Sequence, residues 1–339
     1  MNILTDDIIF HLQRYGGITV YWREITSRIL VDRSLHVKKL ISPEERPRLI
    51  NLTRFLPVFD NPFEGQPFIF HSSYYRISKA RNAKNIITVF DFTHRKLGRG
   101  LKNSLFIAQQ SYAIKKAAGI LCISESTKKD LLEFFPNIDP RIVKVAHLGV
   151  SEIFLKHDGA QRTSTADHPF ILFVGSRAGY KNFDEAVMSL RDFPLKLVIA
   201  GADPLSSGEL QLLNSALPGR WEFIERPSAE ALANLYSKAL CLLYPSSYEG
   251  FGIPVLEAAA CGAPVLACNN SSIPEVAGPS TLLIEEPSVH KIGDAIRLLL
   301  SKQWIPDIEA GRKHAQSFSW ERCYRDTVEF YESRLKVDR

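Results

Sequence analysis

From residue 170 onward, short apolar runs alternate with longer amphipathic segments, and that rhythm leaves few folds open. FILFVG (170–175), LKLVIAG (195–201), WEFIE (221–225), LCLLYPS (240–246) and PVLACN (264–269) have the length and apolar content of strands. NFDEAVMSLRDF, SGELQLLNSAL, SAEALANLYSKA (228–239) and stretches near 254–261 and 288–301 read as the helices between them. Apolar strands joined by helical crossovers make a parallel sheet covered on both faces. The first half repeats the pattern with PFIFHSS (67–73), IITVFD (86–91), GILCIS (119–124) and RIVKVAHLG (141–149), and with helices over 16–31, 100–118 and 124–135. At 339 residues the chain exceeds one ordinary core and suits two α/β domains. KHDGAQRTSTADHP (156–169) lacks large apolar residues, so the boundary is expected near residue 160, giving domains 1–160 and 161–339. The segment 318–335 has helical spacing and no following strand, which suits a terminal helix packing on a domain already formed.

Several function classes recede at once. The five cysteines form no C-x-x-C pair and most sit among apolar or small residues, so buried thiols are expected rather than disulfides or zinc ligands. No Asp-x-Asp triplet or His-x-x-x-His pair advertises a metal site, and no metal requirement is expected. No run approaches the roughly 18 apolar residues that span a bilayer. MNILTDDIIF places Asp6 and Asp7 where a leader would be basic, so a cytoplasmic protein is expected. Charge is uneven: residues 1–155 carry 23 basic and 14 acidic side chains (+9), residues 156–339 carry 19 and 23 (−4). Such asymmetry suits an anionic partner, although a solvated basic surface is the plainer reading. A nucleic acid is not expected, because no binding motif accompanies the charge.

In open parallel sheets ligands bind beyond the C-terminal strand ends, where helix N-termini present free N–H groups. The loop SRAGYKNF after FILFVG carries Arg177 and Lys181, a planar fork and a compact charge that together suit a diphosphate. The loop after LCLLYPS leads into SYEGFGIPVLE. Gly250 and Gly252 permit close backbone approach, and Pro254 suits a helix's first turn. Glu257 then falls in that first turn and Glu249 in the loop before it. Their spacing suits two parts of one extended ligand; alternatively, Glu257 merely complements the helix dipole and Glu249 is a turn residue.

The stretch SSYEGFGIPVLEAAACGAPV closely resembles the signature S-x-Y/F-E-G-F-G-x-P-x-x-E-A-x-A-x-G-x-P-V of retaining GT-B glycosyltransferases, particularly glycosyltransferase family 4. VGSRAGYKNF, SSIPEVAG (271–278), CISESTKKDLLEFFP (122–136), HLGVSEIF (147–154) and GGI (16–18) follow in the family's order, and the likeness is weakest over about 32–85. The resemblance implies two Rossmann-like domains, the first binding an acceptor and the second a nucleotide sugar, with the final helix able to cross back to the first. It implies that Arg177 and Lys181 hold the donor diphosphate, that Glu257 accepts from the ribose hydroxyls and that Glu249 contacts the donor sugar. Backbone N–H groups of Phe251, Gly252 and Ile253 would face the sugar and phosphates, and Gly16 and Gly17 would approach the diphosphate from the other domain. FDFTHRK (90–96) is the family segment that supplies a polar group near the anomeric carbon. Many relatives have His where this chain has Phe90, so Asp91 and His94 are the candidates, with His94 preferred.

The function so implied is hexosyl transfer, with retention, to a glycan or lipid-linked acceptor in cell-surface polysaccharide synthesis. The expected donor is GDP-mannose first and a UDP-sugar second, with no prosthetic group. The basic first domain adds an expected peripheral contact with the anionic inner membrane face. The alternatives are a GT-B epimerase, disfavoured by the Glu-x7-Glu pattern, a phosphorylase, and a nucleotide-sugar-binding scaffold without activity, suggested by Phe90. An NAD-dependent oxidoreductase is disfavoured because no G-x-G-x-x-G follows the first strand.

Overall fold

The computed structural model describes residues 1–13, 16–40, 53–98, 100–157 and 169–336. Its contacts divide the chain into two compact units, one of residues 1–148 with 320–339 and one of residues 149–319. Most of the polar segment at 156–169, the expected linker, lies outside the described residues.

The first unit is built on a six-stranded sheet of β1 (Asn2–Asp6), β2 (His36–Leu40), β3 (Phe68–His71), β4 (Ala83–Val89), β5 (Gly119–Cys122) and β6 (Val143–Val145), in the order β2-β1-β3-β4-β5-β6. The second unit's sheet holds β7 (Phe170–Val174), β8 (Lys196–Gly201), β9 (Trp221–Glu225), β10 (Cys241–Tyr244), β11 (Val265–Cys268) and β12 (Thr281–Ile284), in the order β12-β11-β10-β7-β8-β9. Every pairing is parallel. Both sheets are α/β layers, with strands such as β3, β5, β10 and β11 buried at every residue, as expected for sheets covered on both faces.

Three strands carry little sequence signal. β1 ends in two buried polar residues, Thr5 and Asp6, and Asp6 accepts hydrogen bonds from Ser72 Oγ (2.8 Å) and the Ser73 amide (2.9 Å). β2 and β12 are edge strands, partly or fully exposed at most positions, so neither needs a continuous apolar run. Several helices start where a side-chain oxygen takes a free amide. Ser124 accepts from the Thr127 amide, and Ser206 forms a reciprocal box with Glu209.

The final helix, Trp320–Lys336, belongs to the first unit and buries Trp320, Cys323, Tyr324, Thr327, Phe330 and Tyr331. The Tyr331 hydroxyl lies 2.5 Å from His71 Nδ1, while His71 Nε2 lies 2.9 Å from Thr88 Oγ1, which in turn meets Tyr21 OH at 3.0 Å. This interior chain of polar groups ties the last helix to β3, β4 and the Gly17–Val31 helix. Burial pushes the His71 imidazole down to about 3, so the ring is neutral across the physiological range.

Candidate functional site

The order of the second sheet has a reversal in it. The chain builds β7, β8 and β9 outward, then returns to place β10 on the other side of β7. At such a switch point the two loops leaving the C-terminal strand ends diverge and open a crevice. Here those loops are 175–182 after β7 and 245–252 after β10, which carry Arg177, Lys181 and Glu249.

Asn182 stitches the two loops together. Its backbone is left-handed (φ 51°), a conformation asparagine tolerates, and it joins the short turn Gly179–Lys181 to the Phe183–Ser189 helix. Its amide donates to the Pro245 carbonyl and the Ser247 hydroxyl, each at 2.7 Å, and the Ser247 amide donates back to the Tyr180 carbonyl at 2.8 Å. Lys181, one residue earlier, is thereby delivered to Glu249. Its Nζ pairs with Glu249 Oε1 and sits 3.1 Å from the Tyr244 hydroxyl, with the side chains of the ion pair only 10% and 12% exposed. The ammonium also stands 4.9 Å from the centroid of the Tyr244 ring. Burial, with Glu249 adjacent, raises the Tyr244 phenol well above its ordinary value, so it stays protonated.

The turn around Glu249 is held from beneath by 271–272. Ser271 Oγ accepts from the Glu249 amide at 2.8 Å, and Ser272 Oγ donates to the Glu249 and Phe251 carbonyls at 3.0 and 2.9 Å. The Phe251 side chain is buried against Phe318. Gly252 then caps the Ile253–Ala260 helix at φ 109°, and a Cβ there would lie 2.8 Å from Ile273 Cδ1. Only glycine fits both the backbone angle and the space. Proline follows in the first turn, as its missing N–H allows.

Glu257 lies one turn into this helix. The residue keeps some solvent access, but its carboxyl is crowded by protein, and burial pushes it up to about 7, partly offset by a hydrogen bond from Tyr236 OH at 3.0 Å. It therefore sits near the midpoint of its titration at neutral pH.

Arg177 is more committed than its place in the loop suggests. Nε pairs with Glu209 at 2.7 Å, Nη2 donates to the Asp203 and Pro204 carbonyls at 2.8 Å each, and the guanidinium lies over Phe223. Nη1 is buried without a hydrogen-bond partner. The fork thus braces the loop after β8.

The remaining candidates lie in the first unit. Gly16, at φ 129°, caps the helix that Gly17 opens, beyond the short helix Ile8–Leu12 that follows β1. The segment after β1 flanks the first sheet's own switch point, between β1 and β3. Phe90 is buried edge-on against Tyr21, so no polar group stands at its position. Asp91 Oδ1 accepts from the Thr93 amide at 2.8 Å. His94 is exposed and packs on Phe106. The Asn103 amide donates to the His94 carbonyl at 2.8 Å, leaving Asn103 Oδ1 to accept from His94 Nδ1 at 2.7 Å. The neutral ring then carries its proton on Nδ1 and a lone pair on Nε2. Among the described residues no group of three or more His, Cys, Asp or Glu could hold a metal ion, and no helix is long and apolar enough to cross a membrane.

The sequence pattern marked Lys181, Glu249 and Glu257 but passed over Asn182 and Tyr244, although Asn182 stands within the quoted VGSRAGYKNF and Tyr244 ends a strand.

Residues 158–317 match the family model described as glycosyl transferases group 1. The chain is 28% identical over 235 residues to O-antigen chain mannosyltransferase B of Escherichia coli, a match covering 65% of this chain and 61% of that protein. It is 25% identical over 346 residues to an uncharacterized glycosyltransferase of Methanocaldococcus jannaschii, covering 94% of each. In structure it resembles sucrose-phosphate synthase from Thermosynechococcus elongatus with a TM-score of 0.76 at 19% identity, over 98% of both chains. That likeness is one of fold, two parallel sheets of the GT-B kind.

Proposed function

We propose that the chain, whose residues 158–317 match the group 1 glycosyl transferases, is a member of that family and moves a hexose from a nucleoside-diphosphate sugar to a hydroxyl of a glycan or lipid-linked acceptor, with retention of configuration. The observation that carries this reading is the convergence, at the switch point of the second sheet, of Lys181 with Glu249, on the loop that leads into the helix bearing Glu257. In this reading the bond from the anomeric carbon to the donor phosphate breaks, and charge grows on the departing diphosphate. Lys181 and the N-terminal amides of the Ile253–Ala260 helix, with those of Phe251 and Gly252, stabilise that charge. Arg177 adds its charge at the same strand end while its fork stays tied to the β8 loop. Glu257 accepts from the ribose, and Glu249 exchanges its lysine contact for hydroxyls of the sugar.

The first unit is the acceptor domain in this reading, with Gly16, Gly17 and His94, ahead of Asp91, as its candidate site residues. The acceptor proton passes to the leaving phosphate as the new bond to the anomeric carbon forms. Mannose is the favoured sugar, in keeping with the name of the E. coli relative, so GDP-mannose is the first donor to test and a UDP-sugar the second. Work in cell-surface polysaccharide synthesis, in the cytoplasm or at the inner membrane face, fits such an acceptor.

The test begins with thermal shift against GDP-, UDP- and ADP-sugars, since a ligand that binds only the folded state raises its stability. With the donor in hand, Lys181→Ala is expected to lower kcat/KM by about 10²-fold or more. Near-normal release of nucleoside diphosphate by that variant would remove the proposed phosphate site.

A further inference from the structure

The Leu101–Lys116 helix is apolar on two opposite sides. One side, with Gln110, Ala113 and Ile114, is buried in the first unit. On the other, Leu101, Leu105, Ala108 and Tyr112 recur at spacings of four, three and four, which at 3.6 residues per turn places them within a sector roughly 60° wide. All four are exposed, Leu101 by 85%, Leu105 by 59% and Tyr112 by 46%. Among the described residues nothing in the unit covers this stripe, although the opposite side of the helix is already packed.

Two further features extend the stripe and give it a sign. Gln109 Nε2 donates to the Arg54 carbonyl at 2.7 Å, which brings the exposed Phe55 and Leu56 alongside the helix. In the sequence no acidic residue occurs between Asp91 and Glu125, whereas Arg95, Lys96, Arg99, Lys102, Lys115 and Lys116 all do. Lys102, Lys115 and Lys116 are exposed on the helix itself, with Lys115 and Lys116 on either flank of the apolar stripe.

We propose that this face of the first unit, centred on Leu101, Leu105 and Tyr112 and rimmed by Lys102, Lys115 and Lys116, is a docking surface for an anionic phospholipid bilayer. An interfacial helix inserts its apolar stripe at the boundary of headgroups and acyl chains while lysines reach the phosphates, and its binding weakens with salt. The absence of acidic residues over this stretch favours a lipid surface above a second copy of the chain, whose matching face would be equally basic. The inference gives the lipid-linked acceptor a place to be met, but it does not depend on which residues bind the donor.

The test is co-sedimentation of the full chain with vesicles of phosphatidylglycerol mixed with phosphatidylcholine, against vesicles of phosphatidylcholine alone. Binding is expected to the anionic vesicles and to fall at high salt. Lys115→Glu with Lys116→Glu should weaken it by about tenfold or more. Leu101→Glu with Leu105→Glu should abolish it while leaving the melting temperature and the nucleotide-sugar thermal shift unchanged, since these side chains are exposed and lie in the other unit from the donor loops. No binding to anionic vesicles, or binding that survives the leucine changes, would overturn the proposal. Self-association in sedimentation velocity that disappears in the leucine variant would overturn it too, in favour of a second copy.

Discussion

Glu257→Gln isolates a carboxyl in the helix after β10 whose charge is set by burial. In the wild type that carboxyl titrates near 7, against 4.5 for an ordinary glutamate. A ribose contact that needs the ionised form finds it in about a tenth of molecules at pH 6 and about nine-tenths at pH 8. Apparent affinity scales with the competent fraction, so donor affinity should rise about tenfold over that interval. Glutamine keeps the shape and one acceptor oxygen but cannot titrate, so its affinity should be lower at pH 8 and free of this rise. The diphosphate's own titration is common to both proteins and cancels in their ratio. The same group makes a second reading available without ligand. Because the folded form holds the proton up to about 7 and the unfolded form releases it near 4.5, folding stability contributed by this site falls as pH rises between those values. The upper bound is about 3 kcal/mol, and partial solvent access of the residue lowers it. Glu257→Gln should therefore melt progressively higher than wild type as pH goes from 5 to 8, by a few degrees. Calorimetry and isothermal titration at pH 6, 7 and 8 give both curves. Wild-type and variant affinities that change in parallel with pH would refute the ribose assignment; parallel melting curves would refute the buried carboxyl.

Asn182→Gly keeps the left-handed turn but removes the strap to Pro245 and Ser247, so kcat should fall by about tenfold with a smaller change in donor KM. In a cycle with Lys181→Ala the losses should be far from additive, and additive losses would mean that Asn182 acts by stability alone. His71 is held neutral at about 3 in the folded state, against 6.5 for an ordinary histidine, so stability should be lost as pH falls below about 6.5. His71→Gln should flatten that acid limb in urea titrations, and an unchanged limb would place the acid sensitivity elsewhere.

The parts that were legible in the sequence are those where burial is two-sided. FILFVG, LKLVIAG and LCLLYPS became β7, β8 and β10 because a strand covered on both faces has to be apolar throughout. β1 was not legible, since the buried Asp6 at its end is satisfied by Ser72 and Ser73, about 66 residues away in the chain. The loops after β7 and β10 were readable as residue types, because two glycines and a proline set between two carboxylates have few structural uses. What they touch was not. Arg177 and Lys181 look equivalent on one loop, yet Glu209, which decides the difference, comes from a helix beyond the next strand. Asn182 was hidden for a related reason: its value lies in a left-handed turn and two acceptors on another loop, neither of which has a local pattern.

The membership of the last helix has a consequence for how the protein comes into being. The second unit is one uninterrupted run, residues 149–319, whereas the first opens the chain and is closed only by residues 320–336. On the ribosome the later unit is thus complete while the earlier one still lacks Trp320, Phe330 and Tyr331, and His71 waits for its hydroxyl partner until the final turns emerge. The part made first is finished last, and a chain that stops at residue 319 leaves behind a whole second unit and an unsealed first.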